Sequence, residues 1–221
     1  MFRSLLGLVC LFAGSARAEL LPPGTIADRV RTFGPAAEAR LLPHFEKAGV
    51  RYPPARVLLL GLKEERTLGL YAASSGTSAW RFIRSYPVLA ASGTLGPKLR
   101  QGDLQVPEGV YGVEYLNPNS QYHLSLKISY PNAFDRQQAR AEGRANLGGD
   151  IMIHGKDVSI GCLAMGDPAA EELFVLAAKT GLPNITVLLA PGDFRKRDFS
   201  QAKPWVQTLY AQLRAKFKEL P

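Results

Sequence analysis

The chain has 221 residues, a formal net charge of +8 at pH 7 and 46% hydrophobic residues. That length and apolar content suit one domain with a sizeable core, and they exclude a disordered or low-complexity protein. The positive balance fits an anionic partner: nucleic acid, anionic lipid or a charged polymer such as a cell wall.

The chain opens on an export signal. Arg3 supplies the charged start, Leu5 to Ala13 a short apolar stretch, and Ala16-Arg17-Ala18 a small-x-small cleavage site, so residues 1–18 read as a signal peptide and the mature chain as beginning at Glu19. Leu8 and Val9 precede Cys10 where a lipid-attachment motif needs small residues, which argues against lipidation. Export points to the periplasm and away from nucleic acid. No later stretch is long and apolar enough to cross a bilayer, so no integral membrane segment is expected after cleavage.

Residues 19–56 read as an N-terminal helical segment, with a short helix from Pro35 to Ala48 that Gly49 ends. Val57–Leu62 and Leu68–Ala72 form a predicted hairpin around the polar turn 63–66, and Trp80 to Ala90 a further strand. Gly93 to Gly109 is loop. Val110–Tyr115 and Tyr122–Ser129 are predicted strands joined by a turn over 117–120. Pro131 to Asp150 is long and polar, and if helical it sets Arg136, Arg140 and Arg144 on one face, as a solvated surface or a clamp for an anionic substrate. Ile151–Ile153 is a short strand. Asp167 is the expected N-cap, before Pro168, of a helix that stops at Gly181, and Ile185–Ala190 is a last strand. Residues 192–221 end in a helix whose stripe of Trp205, Leu209, Leu213 and Phe217 is expected to dock on the domain spanning 57–191.

Cys162 is the one cysteine left after the signal. A single thiol in an exported protein is an inert packed residue, an intermolecular partner or a reactive group. Its surroundings favour the last. Residues 151–162 read IMIHGKDVSIGC, which places His154 eight residues before it on a strand–loop–helix connection flanked by Gly155 and Gly161. A thiol needs a neighbouring base to act as a nucleophile at neutral pH, and an imidazole beside it can form an ion pair that lowers the thiol pKa. The backbone N–H of Cys162 is then the expected oxyanion donor, and Ser159 an orienting group. His123 shares an alternating strand face with Ser125 and Lys127; that face either lines the cleft or is simply exposed. Asp157 either hydrogen-bonds near the site or caps a turn. His44 reads as a structural residue on its helix. No HExxH or CxxC spacing supports a metal site, and acyl transfer by a thiol and an imidazole needs no cofactor.

At these residues the sequence resembles the L,D-transpeptidase (YkuD-type) catalytic domain, whose motif is a His-Gly followed by Ser-His-Gly-Cys, and within it the YafK-like branch. The likeness also runs through Ser92-Gly93, Gly96-Pro97-Lys98, Gly102-Asp103, residues 105–111, residues 117–120, His123, Ser125, Tyr130-Pro131-Asn132 and Asp135. It implies an α+β, β-rich fold, a mixed β-sandwich with flanking helices. It also implies a Cys acyl-enzyme acting on diaminopimelate-containing peptidoglycan stem peptides, with Cys162 as nucleophile and His154 as base. His123, Ser125, Tyr130 and Asp157 are the candidate substrate contacts. An amine acceptor gives a cross-link or lipoprotein attachment; water gives hydrolysis, including release of wall-bound lipoprotein. Two positions depart from the pattern: Ile160 stands where the family has a second His, and Ala164 where it has Arg or Asn. Those changes leave the acceptor open, and leave standing a catalytically silent peptidoglycan-binding protein of the same fold.

Overall fold

The computed structural model describes residues 22–159, 161–200 and 203–221; the expected export signal, residues 1–18, lies outside them. Its first element is α1, Ile26–Ala48, which begins nine residues before the expected Pro35. The reason is a capping box: Thr25 accepts from the Asp28 N–H, while the Asp28 side chain takes the Thr25 N–H. Gly49 ends the helix in the left-handed conformation.

A five-stranded sheet has the order β3-β2-β1-β9-β4, built from β1 (Arg56–Leu62), β2 (Thr67–Ala73), β3 (Arg81–Pro87), β4 (Gly109–Tyr111) and β9 (Ile185–Ala190). β1 and β2 are the expected hairpin; β1 and β9 run parallel at the centre. Their continuous apolar runs follow from burial on both faces. Val57 and Leu59 of β1 enter the core shared with the second sheet, α1 and the helix α3, Asp167–Thr180, whereas Leu58 and Leu60 face a second core beneath α4, Pro204–Phe217. α4 buries Val206, Leu209, Tyr210, Leu213 and Phe217 there, so its apolar stripe docks on the sheet.

The second sheet carries the candidate site. Its order is β5-β6-β7-β8, from β5 (Val113–Ser120), β6 (His123–Ile128), β7 (Met152–His154) and β8 (Leu163–Ala164). Residues 117–120 are not the turn: β5 runs on to Ser120 through a bulge, and the chain reverses at Gln121 and Tyr122. His123 takes a positive φ of 71° at that reversal. β8 is too short to leave a periodic signal in the sequence, and it exists because its backbone is bonded on both sides, to β7 and to Leu89 and Ala90.

Only part of 131–150 is helical. α2 spans Ala133–Ala141, started by a capping box between Asn132 and Asp135. Arg144 falls beyond its end, so Arg136, Arg140 and Arg144 do not share one helix face. α3, Asp167–Thr180, also starts differently from expectation: Gly166 is the N-cap at φ 77°, and Asp167 is the first helical residue. The Asp167 carboxylate instead accepts the Lys156 N–H at 2.8 Å, which ties the loop after His154 to the start of α3.

Candidate active site

Strand register brings the two chemical residues together. Ser125 pairs with His154 and Lys127 with Met152 across β6 and β7. On the other side, His154 pairs in parallel with Ala164, so Cys162, just before β8, lies opposite Met152. Paired side chains point to the same face. Lys127, Ser125, His154 and Cys162 therefore share one face, with Cys162 and His154 as diagonal neighbours.

His154 is 2% exposed. Its Nδ1 lies 2.7 Å from its neighbour's carbonyl oxygen, on Gly155. A carbonyl only accepts, so Nδ1 carries the proton and Nε2 keeps the lone pair. The Tyr122 ring covers the imidazole, centroids 4.7 Å apart and tilted 38°. Burial holds the imidazole pKa below its ordinary 6.5, against an opposing pull from the Gly155 carbonyl, so the ring is neutral at pH 7. Gly155 is glycine for a steric reason: a Cβ there would lie 2.5 Å from the Asp167 carboxylate and 2.8 Å from the Tyr122 carbonyl oxygen.

Cys162 is half-buried and free. Its Sγ receives the Met152 N–H at 3.4 Å and donates to the Asp150 carbonyl at 3.6 Å. Burial raises the thiol pKa above its ordinary 9.0; the Met152 hydrogen bond works the other way, Asp150 adds to the rise, and the Lys98 ammonium opposes it. The expected thiolate–imidazolium pair is thus not the resting state, because burial disfavours the charged form of both partners. The expected oxyanion donor is also taken. The Cys162 N–H donates to Ser159 Oγ at 2.9 Å, and the Ser159 hydroxyl donates back to the Cys162 carbonyl at 2.7 Å. Ser159 fixes the backbone of the cysteine, and among the described residues its hydroxyl forms no hydrogen bond with the imidazole. Gly161 sits at φ 106°, a conformation closed to most side chains, against the backbone of Leu104 and Gln105.

The other sequence candidates separate. Ser125 is buried beside His154 on the shared face. His123 is not in the cleft: Nε2 lies 3.1 Å from the Glu171 carboxylate and the ring packs edge-on against Phe33. The alternation that put it beside Ser125 breaks at its positive φ. Tyr130 is buried, its hydroxyl donating to the Lys98 and Leu147 carbonyls at 3.4 and 3.3 Å, so it joins two loops instead of meeting substrate. Asp157 is exposed on the loop after His154. Ala164 is fully buried, its N–H bonded to the Ala90 carbonyl, which leaves no space there for a polar side chain. Ile160 lies outside the described residues.

Tyr122 and Asp150, which no sequence motif singles out, also shape the site, through ring stacking and a backbone carbonyl. Met152, within the 151–162 segment, and Lys98, within the Gly96-Pro97-Lys98 likeness, act through a backbone N–H and a charge from another loop. Two loops meet beside the thiol: the Gln101 N–H donates to the Asn146 carbonyl at 3.0 Å, and Arg144 donates to the Leu99 carbonyl at 2.9 Å. Asp103 anchors the first loop by accepting from the Leu99, Arg100 and Gln105 N–H groups and from the Lys98 ammonium. Among the described residues, no group of three or more His, Cys, Asp or Glu side chains is arranged to hold a metal ion.

The model of the L,D-transpeptidase catalytic domain, YkuD, matches residues 56–187. An Escherichia coli K12 protein described as "Putative L,D-transpeptidase YafK" is 41% identical over 141 residues, covering 62% of this chain and 53% of the relative; the same protein from strain O157:H7 matches equally. The chain thus spans about half the length of the curated relatives it matches. Among solved structures, the helical cell shape determining protein Pgp2 from Campylobacter jejuni superposes with a TM-score of 0.51 at 23% identity, over 62% of this chain and 48% of that one. At that identity the likeness concerns the fold alone.

Proposed function

The chain belongs to the L,D-transpeptidase (YkuD) catalytic-domain family, and from that premise we propose that it is an exported cysteine acyl-transfer enzyme of the cell wall. Its substrates are peptidoglycan stem peptides containing meso-diaminopimelate, and residues 57–191 form its catalytic unit. The observation that carries this reading is the pairing of a half-buried thiol with a neutral, Nδ1-protonated histidine on one sheet face.

The chemistry follows from the protonation states. His154 Nε2 takes the Sγ proton as sulfur attacks the scissile carbonyl carbon. The Gly155 carbonyl on Nδ1–H steadies the imidazolium that forms. The Met152 N–H, already on Sγ, strengthens as negative charge develops there. The tetrahedral intermediate collapses, the C–N bond breaks, and the imidazolium returns its proton to the leaving amine, which leaves a thioester on Cys162. An amine or water then attacks, His154 takes its proton, and the thiol is released. With an amine the product is a cross-link or a lipoprotein attachment; with water it is a hydrolysed stem or a lipoprotein freed from the wall.

Ala164 and Ile160 favour water. They are apolar where the family pattern has groups able to orient an acceptor amine. A second reading, a silent binder of the same fold, draws support from the resting thiol, which donates to Asp150 and not to His154. Intact-mass analysis after incubation with a carbapenem separates the two. A covalent adduct at Cys162 that disappears in Cys162→Ala supports the enzyme, and an unlabelled thiol supports the binder.

A further inference from the structure

One cation on the thiol's face is unused by this chemistry. Lys127 pairs with Met152 across β6 and β7, and Met152 lies opposite Cys162. The lysine therefore stands two strand spacings from the nucleophile, roughly 10 Å across the sheet. Its ammonium lies between two carboxylates on separate elements: Glu114 of β5 at 3.2 Å and Asp150 of the loop before β7 at 3.1 Å. The Tyr115 ring lies 5.6 Å from it.

The two halves of this cluster differ in their environment. The Lys127 side chain is 20% exposed, so its charge is partly withdrawn from water, whereas the Asp150 carboxylate is 80% exposed. An ion pair with one partner so solvated holds weakly and exchanges readily. Asp150 also occupies the left-handed region at φ 54°, and its carbonyl accepts the Cys162 thiol. Its carboxylate thus occupies, at the edge of the thiol's face, the position an incoming anion would take.

We propose that Lys127 is a substrate-carboxylate site that Asp150 holds in the resting protein: a free carboxylate of the wall peptide, reached about 10 Å from the scissile carbonyl, displaces the Asp150 side chain from the ammonium. The inference rests on the wall-peptide reading above. It makes the enzyme selective for stem peptides whose carboxylate at that distance is free, and it makes amidated peptides poor ligands.

The test is calorimetric binding of the tripeptide L-Ala-γ-D-Glu-meso-diaminopimelate, and of its amidated forms, to the full chain carrying Cys162→Ala, so that no turnover intervenes. Lys127→Gln should weaken the free-acid tripeptide about tenfold or more. Asp150→Asn should tighten it about two- to fivefold, because the competitor is removed. Asparagine tolerates the left-handed conformation at 150, so the backbone there is kept. A merely structural ion pair would move both variants in the same direction. For one amidated form the Lys127→Gln effect should vanish. Equal affinity in Lys127→Gln and its parent, or weakening in both variants, overturns the proposal while leaving the wall-peptide reading intact. No binding of any of these peptides to the parent chain overturns both.

Discussion

Two polar clusters, one around Glu172 of α3 and one around Cys162 just before β8, are built on opposite principles. Around Glu172, which is 2% exposed, every oxygen is used: Arg40 donates at 2.7 Å, Arg84 at 2.9 Å and the Tyr86 hydroxyl at 2.8 Å, while Glu171 binds Arg40 and His123. Around Cys162 the bonds stop short. The thiol has two long contacts, one from the Met152 N–H and one to the Asp150 carbonyl, and among the described residues no hydrogen bond is formed at His154 Nε2. With both Glu172 oxygens engaged, this buried network fixes the packing of α1, α3 and β3, although Arg84 Nε finds no partner within it. A buried pair left with a spare lone pair and a movable proton is suited to chemistry.

Substitutions break the contrast in a graded way. Cys162→Ala and His154→Ala should each lower turnover of wall peptides by ~10³-fold or more while leaving the thermal midpoint close to that of the parent. Glu172→Ala should do the reverse. It strands the Arg84 guanidinium, leaves Arg40 to Glu171 alone, and costs about 3 kcal/mol, the low end of the buried-pair range because Arg40 and Arg84 are themselves partly solvated. Denaturant titration reads that loss, and the rate of Cys162 alkylation in the folded protein should stay unchanged.

Smaller effects sharpen the picture at the site itself. Ser159→Ala frees the Cys162 N–H and loosens the nucleophile's backbone, so kcat should fall about tenfold with little change in KM. The pH dependence follows from the two burial shifts. The active form needs a neutral imidazole and a retained thiol proton, so the kcat/KM plateau should begin below pH 6.5 and extend past pH 9. Iodoacetamide labelling of Cys162 should rise with pH through 9, and an inflection at neutral pH would instead mean a preformed thiolate. Tyr122→Ala should wet the imidazole and move the acid limb up toward 6.5, while Tyr122→Phe keeps the ring and should leave the limb in place.

Much of the fold could be read from the sequence because its signals are local and redundant. The VLLLGL run of β1, the apolar stripe of α4 and the stop at Gly49 each follow from a few adjacent residues. The boundaries that moved did so for side-chain reasons that periodicity does not carry. α1 starts early because Thr25 and Asp28 cap each other, and Asp167 enters α3 because its carboxylate serves Lys156. Motif spacing puts His154 and Cys162 in one short segment, and strand register sets them on one sheet face. What surrounds the pair was hidden. Tyr122 reaches His154 from a hairpin tip thirty-two residues upstream, and Asp150 and Met152 meet the thiol through backbone atoms, whose roles do not depend on residue type.

The most direct test of a Cys162-dependent wall enzyme is a mass-spectrometric digest of sacculi carrying bound lipoprotein, after incubation with the protein or its Cys162→Ala variant. Cys162-dependent products are expected: free stem peptide with released lipoprotein-derived peptide if water is the acceptor, or new cross-linked dimers or attached lipoprotein if an amine is. Identical digests from the two proteins, under conditions where a known family member is active, would contradict that expectation and leave the fold as a peptidoglycan-binding module.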